Sequence, residues 1–321
     1  MEKEKEKEKE KEKKEKLFNQ RFRKVEFLGG GSYGNVYKVE LKDKPGEYYA
    51  LKKFKENRNE GFNPSAIREI SILKELNHEN IEKIIDTFYS VNCLYILFEY
   101  LEGVLSKLIK CNLKEADIKG IMLQILSGVA EIHNNGILHR DLAPSNILLN
   151  KKGEVKIADF GLSRFIASPD KPMSNGVVTK YYRAPEIFFE SSYYSFGIDI
   201  WSVGCIFGEM LLGEVMFRGN VEIDILTKIF TLLGVPNENN WPDSKQLKGY
   251  RLFKGGPAYT IQKKFSKFSS ECRDLLEKML VLNPNNRISA IEALKHPYFT
   301  SEPLPSKKER IAEIVRSYFG K

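Results

Sequence analysis

The sequence has 321 residues, of which 42% are hydrophobic and 29% are charged, with a formal net charge of +8. This is enough chain for one large core or two lobes, and the basic balance is only a weak indication of acidic partners. The cysteines form no CxxC pair and the histidines no HExxH pair, which argues against a zinc site, a disulfide framework or a metalloprotease. No apolar run has the length of a membrane span and no secretory signal is recognisable, so we expect a cytosolic or nuclear protein that binds no membrane.

Residues 1–17 are mostly an alternation of Lys and Glu. In a helix this alternation sets opposite charges three apart but like charges four apart, so the two effects largely cancel. Because the segment lacks apolar residues that would join a core, we expect a disordered, solvated tail. A docking arm is the functional alternative.

A sheet-rich region is predicted over residues 18–101. Short runs rich in Val, Tyr and Phe over 22–40 and 48–54 are divided by Gly and Pro, as in strands and turns. Residues 64–76 are predicted to form a helix, and the apolar run at 93–100 is typical of a buried strand. Four apolar residues share one face of that helix: Ile67, Ile70, Leu73 and Leu76.

The pattern changes to helices over residues 102–300. An apolar stripe with helical spacing runs from Ile118 to Ile132, and Gly136 is expected to end that helix. We therefore predict an α+β fold with a small β-rich lobe and a larger α-helical lobe. Residues 301–321 are predicted to be a C-terminal tail with one short amphipathic helix, whose apolar residues are Ile311, Ile314, Val315 and Tyr318.

The glycine-rich run from Gly29 to Val36 fits the pattern GxGxxGxV. Glycines let backbone amides approach phosphate oxygens without a side chain in the way. A strand rather than a helix follows, which disfavours a dinucleotide site, and a plain glycine-rich hairpin is the alternative. One strand later, Lys52 is the candidate to hold nucleotide phosphates, and Glu69 is the candidate carboxylate that fixes it. The alternative is a surface lysine and a solvated glutamate.

Four short motifs then have the order and spacing of a phosphoryl-transfer site: HRDL at 139–142, Asn146, DFG at 159–161 and APE at 184–186. Asp141 is the candidate base for the attacking hydroxyl. Asn146 and Asp159 offer hard oxygen ligands that suit Mg²⁺. Phosphoryl transfer depends on positioning and charge neutralisation more than on covalent chemistry, and these residues supply both.

The chain resembles the eukaryotic protein kinases over residues 22–300. Within them it is similar to the cyclin-dependent kinases, because NPSAIRE at 63–69 is close to their cyclin-binding helix. The resemblance implies the two-lobed protein kinase fold, ATP and Mg²⁺ as cofactors, and a cyclin bound through the 64–76 helix. It implies no direct contact with nucleic acid. The nucleotide-binding positions that it implies are Leu28, Gly29, Gly30, Gly31, Ser32, Tyr33, Gly34, Val36, Ala50, Lys52, Phe98, Glu99, Leu101 and Leu148.

The resemblance also implies structural and regulatory roles. Arg287 is placed to pair with Glu186, and Asp199 to brace the catalytic loop. In the family three arginines converge on a phosphorylated residue. The matching arginines here are Arg68, Arg140 and Arg164, and the residue that matches the phosphorylated one is Ser174. A phosphate there would bring nearly two negative charges to three cations that otherwise repel one another. Three unrelated surface arginines are the alternative. Ser32 and Tyr33 match inhibitory phosphosites, or are ordinary turn residues.

Residues 177–179 and Arg183 resemble the pocket that reads the residue after the target hydroxyl. In related kinases the residue at Val178 has a positive φ, which turns its carbonyl away. Proline has no N–H and loses nothing at such a position, so the resemblance implies Ser-Pro or Thr-Pro targets. Thr179 marks a Ser/Thr kinase.

Two positions depart from the family pattern. Ala143 stands where Ser/Thr kinases usually have a lysine that touches the transferred phosphate, and Val104 where cyclin-dependent kinases often have an aspartate at the ribose. Losing one charge-stabilising contact slows chemistry by roughly 10²–10³-fold unless another group compensates. A weakly active, cyclin-binding scaffold is therefore the alternative of another class.

Within the family, residues 116–119, 174–175 and 177–179 are most similar to the CDK-activating kinases of transcription factor IIH. That resemblance implies a cyclin H-like partner, an assembly factor as a further partner, and a nuclear location. It implies Ser/Thr-Pro substrates in the RNA polymerase II C-terminal repeat or in the activation loops of other kinases. The alternatives are a cell-cycle kinase and an elongation-type C-terminal-domain kinase, which residues 60–62 also resemble. The elongation type commonly has Pro-Pro-Glu at 184–186.

Overall fold

The computed structural model describes residues 21–31, 34–55, 61, 63–90, 92–166, 180–191, 195–253, 255 and 259–320. The contacts among these residues divide into two units. The first unit comprises the residues up to Asn77, residues 81–101 and residues 159–162. The second unit comprises residues 78–80, residues 102–158 and the residues from Ser163 onward. The predicted tail at 1–17 lies outside the described residues. The predicted boundaries at 101 and 300 remain predictions.

The first unit is built on a five-stranded antiparallel sheet with the order β1-β2-β3-β5-β4. Its strands are β1 (Phe22–Gly31), β2 (Gly34–Leu41), β3 (Tyr48–Lys55), β4 (Ile84–Ser90) and β5 (Cys93–Glu99). One face buries a core that includes Val39, Leu51 and Leu97. On the same face the rings of Phe22 and Tyr95 stack on either side of Phe88, with centroid separations of 5.5 and 5.0 Å. This packing fixes the strand register.

Helix α1 (Pro64–Glu75) lies against this sheet. Asn63 caps it, since the Asn63 side-chain oxygen accepts a hydrogen bond from the Ser65 amide at 2.9 Å, and Pro64 occupies the first turn. The face that α1 buries includes Ala66, Glu69 and Ile72. The buried face of α1 therefore coincides only in part with the apolar face predicted from the sequence. Ile67, which belongs to the predicted face, is 51% exposed.

The second unit is mainly helical. Its helices are α2 (Leu105–Leu108), α3 (Glu115–Asn134), α4 (Pro185–Phe188), α5 (Gly197–Leu212), α6 (Glu222–Leu233), α7 (Ile261–Lys264), α8 (Ser270–Met279), α9 (Ala290–Leu294) and α10 (Lys308–Phe319). The predicted stripe from Ile118 to Ile132 is buried along α3, and Gly136 follows the end of that helix with φ +68°. These two units confirm the predicted fold class.

Two small sheets of the second unit position its loops. Strand β7 (Ile137–Leu138) pairs with β10 (Arg164–Phe165), and β8 (Ile147–Leu149) lies between β6 (Gly103–Val104) and β9 (Val155–Ile157). The loop with the HRDL motif therefore begins at the end of β7 and ends at the start of β8. No helix of the described residues is long and apolar enough to cross a membrane.

The predicted C-terminal helix is present as α10 within the second unit. Ile311 and Val315 are buried, and Ala312 joins them in the buried face. The prediction that Tyr318 shares this buried face is wrong, since Tyr318 is 43% exposed. The predicted tail is thus a docked element at residues 308–319.

Candidate active site

Lys52, Glu69 and Asp159 meet in the first unit. The ammonium nitrogen of Lys52 donates to both carboxylate oxygens of Glu69 at 2.8 Å and to Oδ1 of Asp159 at 2.9 Å. Strand β3 places Lys52 between Val36 on β2 and Ile96 on β5, and α1 brings Glu69 to it. The structure therefore joins three predicted site residues that are far apart in sequence.

The charge state of Lys52 follows from this contact. Burial alone would lower the pKa of Lys52, but the carboxylates of Glu69 and Asp159 outweigh burial and raise that pKa above its ordinary value. Lys52 is accordingly a permanent cation at neutral pH. A buried, fixed cation of this kind suits the binding of phosphate oxygens.

The segment after Asp159 is held from α1. Nη1 of Arg68 donates to the carbonyl oxygen of Gly161 at 2.7 Å. Asp159 itself has φ +64°, which is the left-handed region that L-residues rarely adopt. Such strained positions cluster at functional sites because the surrounding structure must hold them there.

The glycine-rich run forms the turn-side ends of β1 and β2. Gly29 pairs with Val36, and Gly30 with Asn35, so the run is a hairpin whose strands continue into the sheet. A Cβ atom at Gly34 would lie 2.7 Å from the Lys53 carbonyl oxygen, which explains why glycine is required at that position. Ser32 and Tyr33 lie outside the described residues.

The other predicted nucleotide-binding residues lie on several strands and just beyond β5. Ala50 pairs with Phe98, and both side chains are buried. Leu101 is also buried in the first unit, whereas Leu148 lies on β8 of the second unit and is partly exposed. Leu28, near the glycine-rich end of β1, is 41% exposed.

In the second unit, Asn146 lies against Asp141. Its side-chain nitrogen donates to the Asp141 carbonyl at 2.8 Å and to Oδ2 of Asp141 at 3.2 Å. The backbone of Asn146 in turn accepts from the Ala158 amide at 2.9 Å. With its nitrogen directed at Asp141, the amide of Asn146 presents an oxygen of the hard type that Mg²⁺ prefers.

Asp199 organises the loop that carries Asp141. Its two oxygens accept from the backbone amides of His139 and Arg140, each at 2.9 Å, and Oδ2 lies 3.0 Å from Nε2 of His133. Burial would raise the pKa of Asp199, but the hydrogen bonds from His133 and His139 hold it below its ordinary value. The ionised carboxylate thereby keeps Arg140 at φ +69°, again in the left-handed region.

Glu186 of the APE motif forms a bidentate pair with Arg287. Nη1 and Nη2 of Arg287 lie 2.6 and 2.7 Å from Oε1 and Oε2 of Glu186, and both side chains are buried. Arg287 also donates to the carbonyl oxygens of Val281, Leu282 and Gly197. The guanidinium is thus fully hydrogen-bonded, as a buried charge requires.

The regulatory set is only partly within the described residues. Ser174, Val178 and Thr179 lie outside them, so their predicted roles stay predictions. Strand pairing sets Arg164 opposite Leu138, which precedes Arg140 by two residues, so both of these arginines belong to the second unit.

Two functional contacts escaped sequence reasoning. His133 reaches Asp199 across 66 residues, and Nε2 of His139 lies 3.1 Å from the carbonyl oxygen of Ala158, directly before Asp159. His133 lies on α3 next to the apolar stripe, and its position in the sequence does not indicate Asp199 as its partner. Sequence reasoning also missed the burial of Glu82, whose carboxyl group belongs to a residue that is only 7% exposed.

Comparison with known proteins agrees with this geometry. The family model of the protein kinase domain matches residues 22–299. The chain is 44% identical to cyclin-dependent kinase 7 of Dictyostelium discoideum over 282 residues, which cover 85% of this chain and 78% of that protein. A chain in the structure of the CAK complex of Chaetomium thermophilum, bound to ATP-γ-S, matches with a TM-score of 0.82 and 36% identity, over 92% of this chain and 95% of that one. The chain therefore belongs to the protein kinase family, and within it to the cyclin-dependent serine/threonine kinases, which use ATP with Mg²⁺.

Proposed function

We propose that this chain is the kinase of a CDK-activating complex. It would phosphorylate Ser-Pro and Thr-Pro sites in the RNA polymerase II C-terminal repeat or in other kinases' activation loops, in the nucleus. The proposal is supported by the contact of Lys52 with both Glu69 and Asp159, which joins the cation predicted to bind phosphate to the acid predicted to bind Mg²⁺. The 44% identity to cyclin-dependent kinase 7 supports the subgroup.

Each site residue takes a role that follows from its chemistry. Asp141 would orient the substrate hydroxyl and accept its proton, and Asn146 and Asp159 would supply oxygen ligands to Mg²⁺. Lys52 would hold the nucleotide phosphates, with Glu69 fixing its ammonium group. Bound Mg²⁺ would neutralise charge that develops on the transferred phosphate.

The partner surface would be the exposed side of α1. Ile67 on this helix is 51% exposed and is therefore available to an apolar partner. A cyclin H-like subunit and an assembly factor are the partners that the subgroup suggests. Because α1 also carries Glu69 and Arg68, a cyclin on this helix would act directly on the Lys52 contact and on Gly161.

Regulation would act through Ser174. Its phosphate would be bound by Arg68, Arg140 and Arg164, and this would order the segment between the DFG and APE motifs. Phosphates on Ser32 or Tyr33 would repel those of ATP.

The test is a kinase assay with the purified chain and its cyclin on a polymerase repeat peptide with radiolabelled ATP. Phosphate incorporation that Asp141→Asn abolishes supports the kinase. No incorporation by the unmodified complex, with cyclin binding intact, supports the scaffold that Ala143 suggests. Replacing each Ser-Pro in the peptide by Ser-Ala tests the proline requirement, and unchanged incorporation would contradict it.

A further inference from the structure

The C-terminal segment is anchored to the start of α3. The Ser306 amide donates to the carbonyl oxygen of Ala116 at 2.8 Å, and the Ser306 hydroxyl donates to Oδ1 of Asp117 at 2.7 Å. Nε of Arg310 lies 3.6 Å from the same carboxylate oxygen. The Asp117 side chain is almost fully buried, so these contacts belong to the interior of the second unit.

Three glycines form the surface on which this segment rests. A Cβ atom at any of them would stand closer than 3.0 Å to an atom of the segment, so each position excludes a side chain. The atom nearest to such a Cβ would be the Ser306 backbone oxygen at Gly120, the Lys308 backbone oxygen at Gly153 and, at 2.7 Å, a ring carbon of Phe319 at Gly103. The C-terminal segment therefore packs closely against all three glycines.

The contacts at Gly153 and Gly103 fall on the sheet formed by β6, β8 and β9. Gly103 pairs with Leu149 and Val104 with Leu148 on β8, and Gly153 lies in the turn between β8 and β9. Helix α10 thus contacts this sheet at both of its own ends, with Lys308 at the turn and Phe319 at β6. The same sheet carries Leu148 on β8, a strand that begins one residue after Asn146.

We propose that Phe319 is a positioning residue for nucleotide binding: by packing on Gly103 it holds β6 against β8 and so fixes the place of Leu148. The inference rests on the proposed kinase function and on Leu148 as a nucleotide-binding position. Strand β6 has only two residues, so its own pairing holds it weakly, and a ring packed on its outer side restricts its movement. Phe319 itself touches no reacting atom.

The test compares Phe319→Ala with Ser317→Ala, an exposed neighbour on the same helix, in the cyclin-bound kinase. We expect Phe319→Ala to raise the KM for ATP and the Kd for ATP by roughly threefold to tenfold, with kcat within about twofold of the parent. Ser317→Ala should leave all three values unchanged. Phe319→Leu retains an apolar contact and should recover most of the affinity.

Gly103→Ala supplies an independent arm, since its methyl group would displace the Phe319 ring. The double variant Gly103→Ala with Phe319→Ala should have a Kd for ATP similar to that of the weaker-binding single variant, because both changes break the same contact. An unchanged Kd in Phe319→Ala, or kcat falling in step with the fraction of folded protein, would overturn the proposal. Loss of the Asp141 dependence of the parent enzyme would instead overturn the proposed kinase function.

Discussion

Arg287 and Glu186, 101 residues apart, form a buried bidentate ion pair with donor–acceptor distances of 2.6 and 2.7 Å. Arg287 also donates to three backbone carbonyls, and its guanidinium lies 5.0 Å from the Trp201 ring. The pair therefore ties the APE motif to α5, which carries Gly197 and Trp201.

Removing one partner of this pair should be costly, because the other is left as an uncompensated buried charge. We expect Arg287→Met to lower the free energy of unfolding by about 3 to 5 kcal/mol. The double variant Arg287→Met with Glu186→Leu should recover part of this loss, since it removes both charges. Urea unfolding followed by circular dichroism measures both.

The matched control for that experiment is Lys245→Ala, which removes an exposed ion pair with Glu238. Exposed pairs contribute little, so the unfolding midpoint should stay unchanged. Equal effects of Arg287→Met and Lys245→Ala would contradict the importance of burial.

The contact of Lys52 with Glu69 leads to a second prediction. Glu69→Gln keeps the size of the side chain but removes the charge that fixes the Lys52 ammonium group. We expect kcat/KM for ATP to fall by about 10²-fold, since misplacement of a positioning group by about 1 Å has effects of that size. Steady-state kinetics at several ATP concentrations measure the loss. Glu75→Gln, at the exposed end of the same helix, is the control and should have parent kinetics.

Much of this architecture could be predicted from sequence, because local pattern and motif order carry it. The stripe on α3 and the glycine run before Val36 each reflect a periodicity or a turn that short-range physics determines. The Asp199–His133 contact and the burial of Glu82 could not, since they depend on which distant segments pack together. The buried face of α1 was misjudged for the same reason: Ile67 resembles a core residue, but tertiary packing instead buries the charged Glu69 with Lys52.

Ala143 provides a third prediction. The residue is buried at the start of the turn that leads to Asn146, where the family usually has a lysine. If no other cation replaces that lysine, Ala143→Lys should raise kcat by up to about 10²-fold with little change in the KM for ATP. Single-turnover kinetics separate the chemical step from product release. An unchanged or lower rate would indicate that another group already stabilises the transferred phosphate.

Glu82 gives a prediction about pH. Burial, followed by the repulsion of Glu69, raises the pKa of Glu82 from its ordinary 4.5 to about 8, although Lys52 nearby opposes this. The unfolded chain therefore loses this proton near pH 4.5, whereas the folded protein holds it up to about pH 8. Between these values the folded state binds more protons, so this carboxyl lowers the free energy of unfolding progressively as pH rises through that window.

Glu82→Gln should remove this pH dependence, because an amide replaces the acid without a charge to bury. Since one pKa unit corresponds to about 1.4 kcal/mol, we expect the variant to be more stable than the parent by up to about 3 kcal/mol at pH 7. The two proteins should have similar stability below pH 4.5, where Glu82 is protonated in both states. Urea unfolding at pH 5, 6, 7 and 8 measures the difference, with Glu75→Gln as the exposed control. A difference that stays constant across this range would show that Glu82 does not titrate as proposed, since only a change in bound protons makes stability depend on pH.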